Sequence, residues 1–205
     1  MNPAMNTDNN TLSARERILA RVRANRPQGV AHPEVPVFPI AGNPVENFVK
    51  HVEGFDGKVI EMATREDALK WLGENVKQSD SSLVFSAVDG YAGNISMNDL
   101  PLPADAHKLQ ACVGEGDMGI GETGSVLVAP ATFGRMANGL LAIDLYLLLD
   151  SKKILPGLQD AYAQMDLSNV QYSSLFSGPS ATADIEAVHI TGAQGAVSLT
   201  VLLYD

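Results

Sequence analysis

Two short segments rich in glycine, serine and threonine hold the residues most able to bind a ligand or carry out chemistry. In the first, residues 116–125 (GDMGIGETGS), four glycines surround Glu122 and lead into an apolar run. Glycine lets the backbone turn sharply and approach a ligand closely, so the segment presents a carboxylate in an open loop beside a strand. Two interpretations are open: a binding or catalytic loop, and a purely structural turn.

The second segment, residues 177–186 (SGPSATADIE), places small hydroxyl side chains before a predicted helical turn. Ser180 or Thr182 can cap that turn, and the free amide groups at its start favour an anion such as a carboxylate or phosphate. A capped turn without a ligand is the alternative. Asp184 and Glu186 are two residues apart, which predicts hydrogen-bonding anchors more readily than an acid–base pair.

The elements that must position these segments alternate between helix and strand. Apolar runs predict strands, and amphipathic stretches predict helices between them. The predicted strands cover residues 59–62, 83–86, 108–113, 126–129, 145–149 and 199–204, and the predicted helices cover residues 45–52, 64–76 and 155–165. This order indicates an α/β fold with an open, mainly parallel sheet and helices on both faces. We expect the two segments to meet at the carboxyl ends of the strands and to bind a small anionic ligand there.

The amino-terminal part of the chain has a different pattern. Ser13 and Glu16 form a capping box that opens a first helix, and five prolines then lie between residues 27 and 44. Proline removes amide donors and fixes φ, which favours an extended linker. The sequence therefore predicts an arm over residues 1–42 and a single α/β domain over residues 43–205.

Composition excludes several classes of partner and cofactor. The formal net charge of −10 opposes binding to a phosphate backbone, so we expect no nucleic acid partner. Cys112 is the only cysteine, which rules out an intrachain disulfide and a cysteine-ligated iron–sulfur cluster, and its apolar surroundings predict a buried, inert thiol. The four histidines show no paired metal-ligand spacing. We therefore expect no cofactor and no metal in this chain.

The sequence also bears on location. No apolar run approaches the roughly 20 residues that a membrane helix needs, and the first ten residues lack the regions of a signal peptide. A cytoplasmic protein without membrane insertion is the expectation.

The order and spacing of the motifs resemble a known family. The GETG core at residues 121–124, Arg135, the SGPSATADIE segment and the GAQG at residues 192–195 are similar to the lactate-utilisation protein C family, also described as the LUD domain or DUF162 family. The similarity covers residues 108–205, and the RERIL at residues 15–19 is similar to the family's opening helix.

This resemblance implies a fold, a function and a site. The fold would be similar to the NagB/RpiA/CoA-transferase-like group. The chain would be a subunit of a system that oxidises L-lactate to pyruvate, with the iron–sulfur clusters on partner subunits. Glu122 and Asp184 are the predicted catalytic residues. The predicted ligand-binding residues are Gly121, Thr123, Gly124, Arg135, Ser177, Gly178, Ser180 and Thr182.

Two positions depart from the family's pattern and leave other functions open. Family members place a histidine after a Leu-Pro pair where this chain has Asp144 in a leucine-rich run, and their Gly-x-His-Gly is here a GAQG containing Gln194. One alternative is a CoA-transferase- or ligase-like enzyme in which Glu122 attacks an acyl or phosphoryl group. Another is a non-catalytic assembly or regulatory module. A homo-oligomer is a further expectation.

Overall fold

The computed structural model describes residues 13–26, 29, 31–165, 172–184 and 187–205. The helices are α1 (Ala14–Ala24), α2 (Pro44–Gly54), α3 (Arg65–Asn75), α4 (Met136–Leu141) and α5 (Leu158–Gln164). The strands are β1 (Lys58–Met62), β2 (Leu83–Ser86), β3 (Leu109–Glu115), β4 (Met118–Ile120), β5 (Ser125–Val128), β6 (Asp144–Asp150), β7 (Ile154–Leu155), β8 (Ser174–Phe176), β9 (Ala181–Thr182), β10 (Ile190–Thr191) and β11 (Ser198–Tyr204).

The chain divides into two units, Met1–Val37 and Phe38–Asp205. In the first unit, the side chain of Ser13 accepts a hydrogen bond from the amide of Glu16, and the Glu16 carboxylate accepts one from the amide of Ser13. The predicted capping box is therefore confirmed as the start of α1. The predicted domain limits, 1–42 and 43–205, stay a prediction.

The second unit is built on a five-stranded sheet in the order β1-β11-β6-β3-β2, in which every pair is parallel. The central strands are almost wholly apolar because both of their faces are covered, as is usual for parallel sheets. In β11, for example, the residues from Leu199 to Tyr204 are all buried. The predicted α/β fold with a mainly parallel sheet is confirmed.

Helices cover both faces of this sheet. On one face, Phe48 and Val52 of α2 join Phe133 and Met136 in the larger hydrophobic cluster. On the other face, α3 contributes Ala68 and Leu72 to a second cluster that includes Leu148 and Leu202. Successive residues of β6 point into opposite clusters, as the two-residue period of a strand requires. Neighbouring residues of one strand therefore reach different sides of the molecule.

A second, four-stranded sheet in the order β7-β4-β5-β8 was not predicted. The apolar run at residues 126–129 was predicted as a strand of the main sheet, but β5 pairs antiparallel with β4 and β8 instead. The predicted helix over residues 155–165 was too long, because Leu155 pairs in β7 and α5 begins only at Leu158, after Pro156 and Gly157. Proline and glycine disfavour the helix interior, which explains the later start.

The second glycine-rich segment also differs from its prediction. Residues 181–182, predicted to precede a helical turn, form β9, which pairs antiparallel with β10, while the predicted turn falls partly outside the described residues. Glu186 lies outside the described residues, so its predicted role as an anchor stays a prediction.

Candidate functional site

A cavity of about 220 Å³ lies at the amino-terminal edge of the parallel sheet. Leu145, at the start of β6, and Ala196, just before β11, mark that edge. The other lining residues come from α4, β8 and two loops: Gly139, Leu140, Phe176, Gly178, Pro179, Ser180, Gln194 and Gly195. We expected the two glycine-rich segments to meet at the carboxyl ends of the strands. For the second segment this was wrong, because residues 178–180, together with residues 194–196, lie at the amino-terminal edge.

Glycines allow the two loops to come together. Gly178 has φ +71°, and a Cβ there would lie 2.2 Å from the carbonyl oxygen of Phe55, at the end of α2. A Cβ on Gly195 would lie 2.9 Å from the Cβ of Ser180. A side chain at position 178 would therefore push this loop away from the end of α2, and one at position 195 would crowd Ser180 and separate the two loops.

Ser180 is held by its backbone on both sides. Its amide donates to the carbonyl oxygen of Ala196 at 2.8 Å, and its own carbonyl oxygen accepts from the amide of Gly192 at 2.7 Å. These bonds fix the loop while its hydroxyl makes no protein hydrogen bond in the described part of the chain. The hydroxyl of Ser180 is thus available to a ligand in the cavity.

The described lining of the cavity holds no ionisable side chain. Its side-chain polar groups are the hydroxyl of Ser180 and the amide of Gln194, and the remaining lining is apolar or glycine. Neutral donors can bind a carboxylate or a hydroxyl group, but neither Ser180 nor Gln194 exchanges a proton near neutral pH. The geometry favours binding of a small molecule over acid–base chemistry.

The predicted catalytic Glu122 lies elsewhere, in the turn between β4 and β5. Its Oε2 accepts a hydrogen bond of 2.9 Å from the amide of Leu158, the first residue of α5. The amide of Glu122 itself donates to the carbonyl oxygen of Pro156 at 2.9 Å. A carboxylate at a helix start satisfies a free amide and interacts favourably with the helix dipole. In this structure Glu122 anchors α5 to the turn.

The glycines of this turn also have structural reasons. A Cβ on Gly121 would lie 2.7 Å from the carbonyl oxygen of Pro44, and one on Gly124, where φ is +61°, would lie 2.5 Å from the amide nitrogen of Val52. The carbonyl oxygen of Gly121 accepts from Nδ1 of His51 at 2.8 Å, which fixes the proton on that nitrogen. The turn packs tightly against α2.

Two of the predicted ligand-binding residues do lie close together in the structure. The hydroxyl groups of Thr123 and Ser177 are linked through the buried hydroxyl of Ser125, at 2.7 Å and 2.5 Å. The link follows from the pairing of β5 with β8, which sets Val126 opposite Phe176. It joins the first segment to the start of the second, beside Gly178.

Within the described part of the chain, the other predicted site residues make no hydrogen bond or ion pair with this group of hydroxyls. Asp184 is exposed in the β9–β10 hairpin, where its amide donates to the hydroxyl of Thr182 at 3.3 Å. Arg135 precedes α4, and its guanidinium donates to the carbonyl oxygen of Leu100 at 3.0 Å. Sequence reasoning also left Gln194 and Gly195 out of the binding set. The only signal for them was the glycine spacing of GAQG.

At the carboxyl edge of the sheet, polar side chains are bonded to one another. The Arg65 guanidinium donates to both oxygens of Glu115, at 3.3 Å and 2.8 Å, and the Tyr204 hydroxyl donates to Oε1 at 2.7 Å. These hydrogen bonds, above all those from Arg65, hold the pKa of Glu115 below its usual value despite partial burial. Burial and the neighbouring carboxylate raise the pKa of Tyr204. This group ties α3, β3 and β11 together.

No group of three or more His, Cys, Asp or Glu side chains suited to a metal ion occurs among the described residues. In that same part of the chain, none of the helices is both long and apolar enough to span a membrane. Cys112 is fully buried within β3, and burial raises the pKa of its thiol, as expected for an inert cysteine.

A parallel sheet with helices on both faces and a glycine-lined cavity at one edge defines an α/β protein of the open-sheet class. The sequence profile of the LUD domain matches residues 102–204, so the chain belongs to the LUD domain family. Membership of this family indicates a role in lactate utilisation.

The crystal structure of a DUF162 family protein from Deinococcus radiodurans is similar in fold. The similarity has a TM-score of 0.57 and covers 79% of this chain and 96% of that chain, at 14% sequence identity. No curated protein sequence is significantly similar to the chain. The relation to the NagB/RpiA/CoA-transferase-like group stays a prediction.

Proposed function

We propose that the protein is a non-redox subunit of an L-lactate-oxidising system and that it binds a small carboxylate ligand in the cavity at the amino edge. One observation carries the proposal. Two motifs that carry the family resemblance converge on that cavity: the second glycine-rich segment through residues 178–180, and the GAQG motif through Gln194 and Gly195.

The lining supports binding of a small polar molecule against an apolar wall. Phe176, Leu140 and Leu145 supply the apolar surface, and the Ser180 hydroxyl and Gln194 amide supply neutral donors. Ligand pockets commonly combine a mainly apolar lining with a few polar groups that fix orientation. A 2-hydroxy or 2-keto acid of three carbons has both an apolar methyl group and a carboxylate, so it matches this lining.

The redox step is proposed to occur on partner subunits. Because a cysteine-ligated cluster needs about four ligands, the single Cys112 thiol cannot hold one. Iron–sulfur subunits in the cytoplasm are therefore the proposed partners. In this arrangement the present chain binds the substrate or product, or holds the complex together, and electrons pass through the partners.

The transferase alternative receives less support from the geometry. It requires the Glu122 carboxylate to be free to attack, whereas that carboxylate accepts a hydrogen bond from the start of α5. The assembly-module alternative is compatible with a cavity that lacks ionisable side chains. It differs from our proposal in expecting no small-molecule ligand at all.

Calorimetric titration with L-lactate and pyruvate tests the ligand part of the proposal. We expect Gln194→Ala to weaken binding by about tenfold, equivalent to about 1.4 kcal/mol, because a donor is lost from the cavity. Gly195→Ala should weaken it as well, since the added methyl group lies against Ser180. Gln164→Ala, which changes an exposed glutamine at the end of α5, is the matched control.

The same titrations can contradict the proposal. If neither acid binds to the intact protein, or if Gln194→Ala and Gln164→Ala bind alike, the cavity is not the ligand site. The subunit part is tested separately by mixing the chain with candidate iron–sulfur subunits and measuring co-elution and lactate oxidation. Failure of oxidation to depend on this chain would remove it from the system.

A further inference from the structure

A second cavity, of about 290 Å³, lies on the opposite face of the sheet from the first. It is bounded by the end of α3 and by the starts of β2, β3 and β6. Its polar lining includes Asn75, Lys77, Gln110, Asp144 and Tyr146. Leu145 faces the first cavity and its two neighbours face the second, because successive residues of a strand point to opposite faces.

The Asp144 carboxylate in this cavity has no cationic partner. Its Oδ1 accepts from the Ser198 hydroxyl at 2.6 Å and its Oδ2 from Nε2 of Gln110 at 2.8 Å. Within the described chain, no Lys, Arg or His nitrogen lies within ion-pairing distance of it. The negative charge is therefore held in place by neutral donors and left uncompensated.

Two amide side chains add acceptor oxygens to the same region. Gln110 must direct its NH₂ group at Asp144, because a carboxylate only accepts, and its Oε1 is then the free end. Asn75 likewise donates from Nδ2 to the carbonyl oxygen of Trp71 at 2.9 Å, which leaves Oδ1 as an acceptor. The partial negative charge at the end of α3 has the same sign. This side of the cavity is suited to a group with several N–H donors and a positive charge.

The opposite polarity is supplied by Lys77. Its ammonium makes no ion pair in the described part of the chain, and it does not lie within 4.0 Å of Asp144. An unpaired cation and an unpaired carboxylate therefore line one cavity without neutralising each other. A ligand that carries both charges can therefore contact both residues at once.

We propose that this cavity binds a small zwitterion, an α-amino acid whose ammonium group lies against Asp144 and Gln110 and whose carboxylate is held by Lys77. The phenol of Tyr146 lies beside the ammonium position, and its pKa is raised by burial and then by the Asp144 carboxylate, so it stays a neutral hydroxyl. This site is separate from the proposed lactate cavity and does not depend on it.

The chain contains its own reporter for this site. Trp71 is the only tryptophan, and its ring centroid is 6.2 Å from that of Tyr146, which lines the cavity. A ligand that moves or desolvates Tyr146 alters the surroundings of Trp71, so binding can be followed by tryptophan emission.

The test is a titration of the full-length protein with L-alanine, and with propionate, ethylamine and L-lactate as partial analogues. We expect a saturable change in emission with L-alanine and binding at least about tenfold weaker for each analogue that lacks one charge. Lys77→Met and Asp144→Asn should each weaken L-alanine binding to a similar degree. Lys70→Met, an exposed lysine of α3 outside the cavity, should leave it unchanged.

Each other result overturns the proposal. No saturable change with L-alanine removes the site, and equal binding of L-lactate removes the ammonium contact. Unchanged binding in Lys77→Met removes the carboxylate contact, and this variant should fold normally because the lysine side chain makes no bond in the described structure. If Asp144→Asn fails to fold, the result with Lys77→Met still decides.

Discussion

Burial decides what single side chains can do in this protein, and Cys112 is the clearest case. Cys112 lies on β3, its thiol is fully buried in the larger hydrophobic cluster, and burial raises its pKa because the thiolate cannot be solvated there. The sequence predicted the same from the apolar neighbours of the cysteine. For Glu122, sequence and structure disagree. Its glycine-rich surroundings suggested a catalytic role, whereas in the structure its carboxylate holds the start of α5.

Cys112 should be unreactive in the native protein. We expect a thiol-specific reagent to label the folded chain far more slowly than the chain in denaturant, where the thiol regains a pKa of about 8.5. Labelling should follow the opening of the fold and accelerate in destabilised variants. Rapid stoichiometric labelling of the native protein would contradict the buried position.

Replacing Glu122 should affect stability modestly. Glu122→Gln retains an oxygen acceptor for the amide of Leu158, so we expect a loss below about 0.5 kcal/mol, whereas Glu122→Ala removes the anchor and should cost about 1 kcal/mol. Chemical denaturation of both variants measures this difference. A catalytic role would appear instead as lost activity in Glu122→Gln with unchanged stability.

At the scale of elements, the same residue type has different consequences depending on where it lies. Gly73 is exposed inside α3, and a Cβ there would meet nothing within 4 Å. Gly124 has a positive φ and is packed against α2. The first glycine costs the helix conformational entropy, and the second is required by geometry.

We therefore expect opposite outcomes from the two alanine substitutions. Gly73→Ala should raise the free energy of unfolding by about 0.5–1 kcal/mol, the usual gain within a helix. Gly124→Ala should lower it by more than about 1 kcal/mol, because both the backbone conformation and the space disfavour a side chain. Unfolding in urea measures both, and equal effects would contradict the turn geometry.

The bonds between α3, β3 and β11 predict a dependence of stability on pH. The folded pKa of Glu115 is lowered, so its contribution is present above the unfolded value of about 4.3 and is lost as pH falls through the folded pKa. At neutral pH, Glu115→Gln should cost about 1 kcal/mol, allowing for partial exposure of the pair. The difference from the wild-type protein should shrink in acid.

Thermal unfolding across the acid range checks this, with Glu61→Gln as the control because that carboxylate is exposed and unbonded in the described structure. Tyr204 affects stability at alkaline pH instead. Its folded pKa is raised, so its contribution is present below about pH 10 and is lost as pH rises above that value. A difference for Glu115→Gln that persists unchanged in acid would contradict the charged bond.

At the scale of the whole molecule, two units with different packing make up the chain. Helix α1 has no buried residue, and Ile18 and Val22 are each 62% exposed. Residues 31–43 contain no regular secondary structure. The hydrophobic clusters are formed entirely by residues after Phe38.

A truncated chain that begins at Phe38 should therefore fold. We expect cooperative unfolding with a free energy within about 1 kcal/mol of the full-length value, because no residue of either hydrophobic cluster is removed. Thermal unfolding followed by circular dichroism tests this against the intact chain. Loss of a cooperative transition would show that the arm is part of the domain.

Light scattering of both forms tests the expected homo-oligomer.

The sequence by itself determined the elements whose signals are local. The capping box at Ser13, the helix predicted over residues 64–76 and the apolar runs of β2 and β6 depend on neighbouring residues, and each appears close to where it was predicted. The α/β class follows from their order, because alternating buried strands and helices have few ways to cover both faces of a sheet. The family resemblance, carried by short ordered motifs, was also readable.

Only the tertiary structure decided which strands pair and which loops meet. A four-residue strand such as β5 has the same apolar pattern in either sheet, so its antiparallel place beside β8 could not be read locally. Residues 178–180 and 194–196 are brought together by the pairing of β9 with β10 and by the hydrogen bond from the amide of Ser180 to the carbonyl oxygen of Ala196. Both cavities lie at the amino edge of the sheet. The Glu122 loop, which the sequence marked as a candidate site, instead packs against α2 and α5.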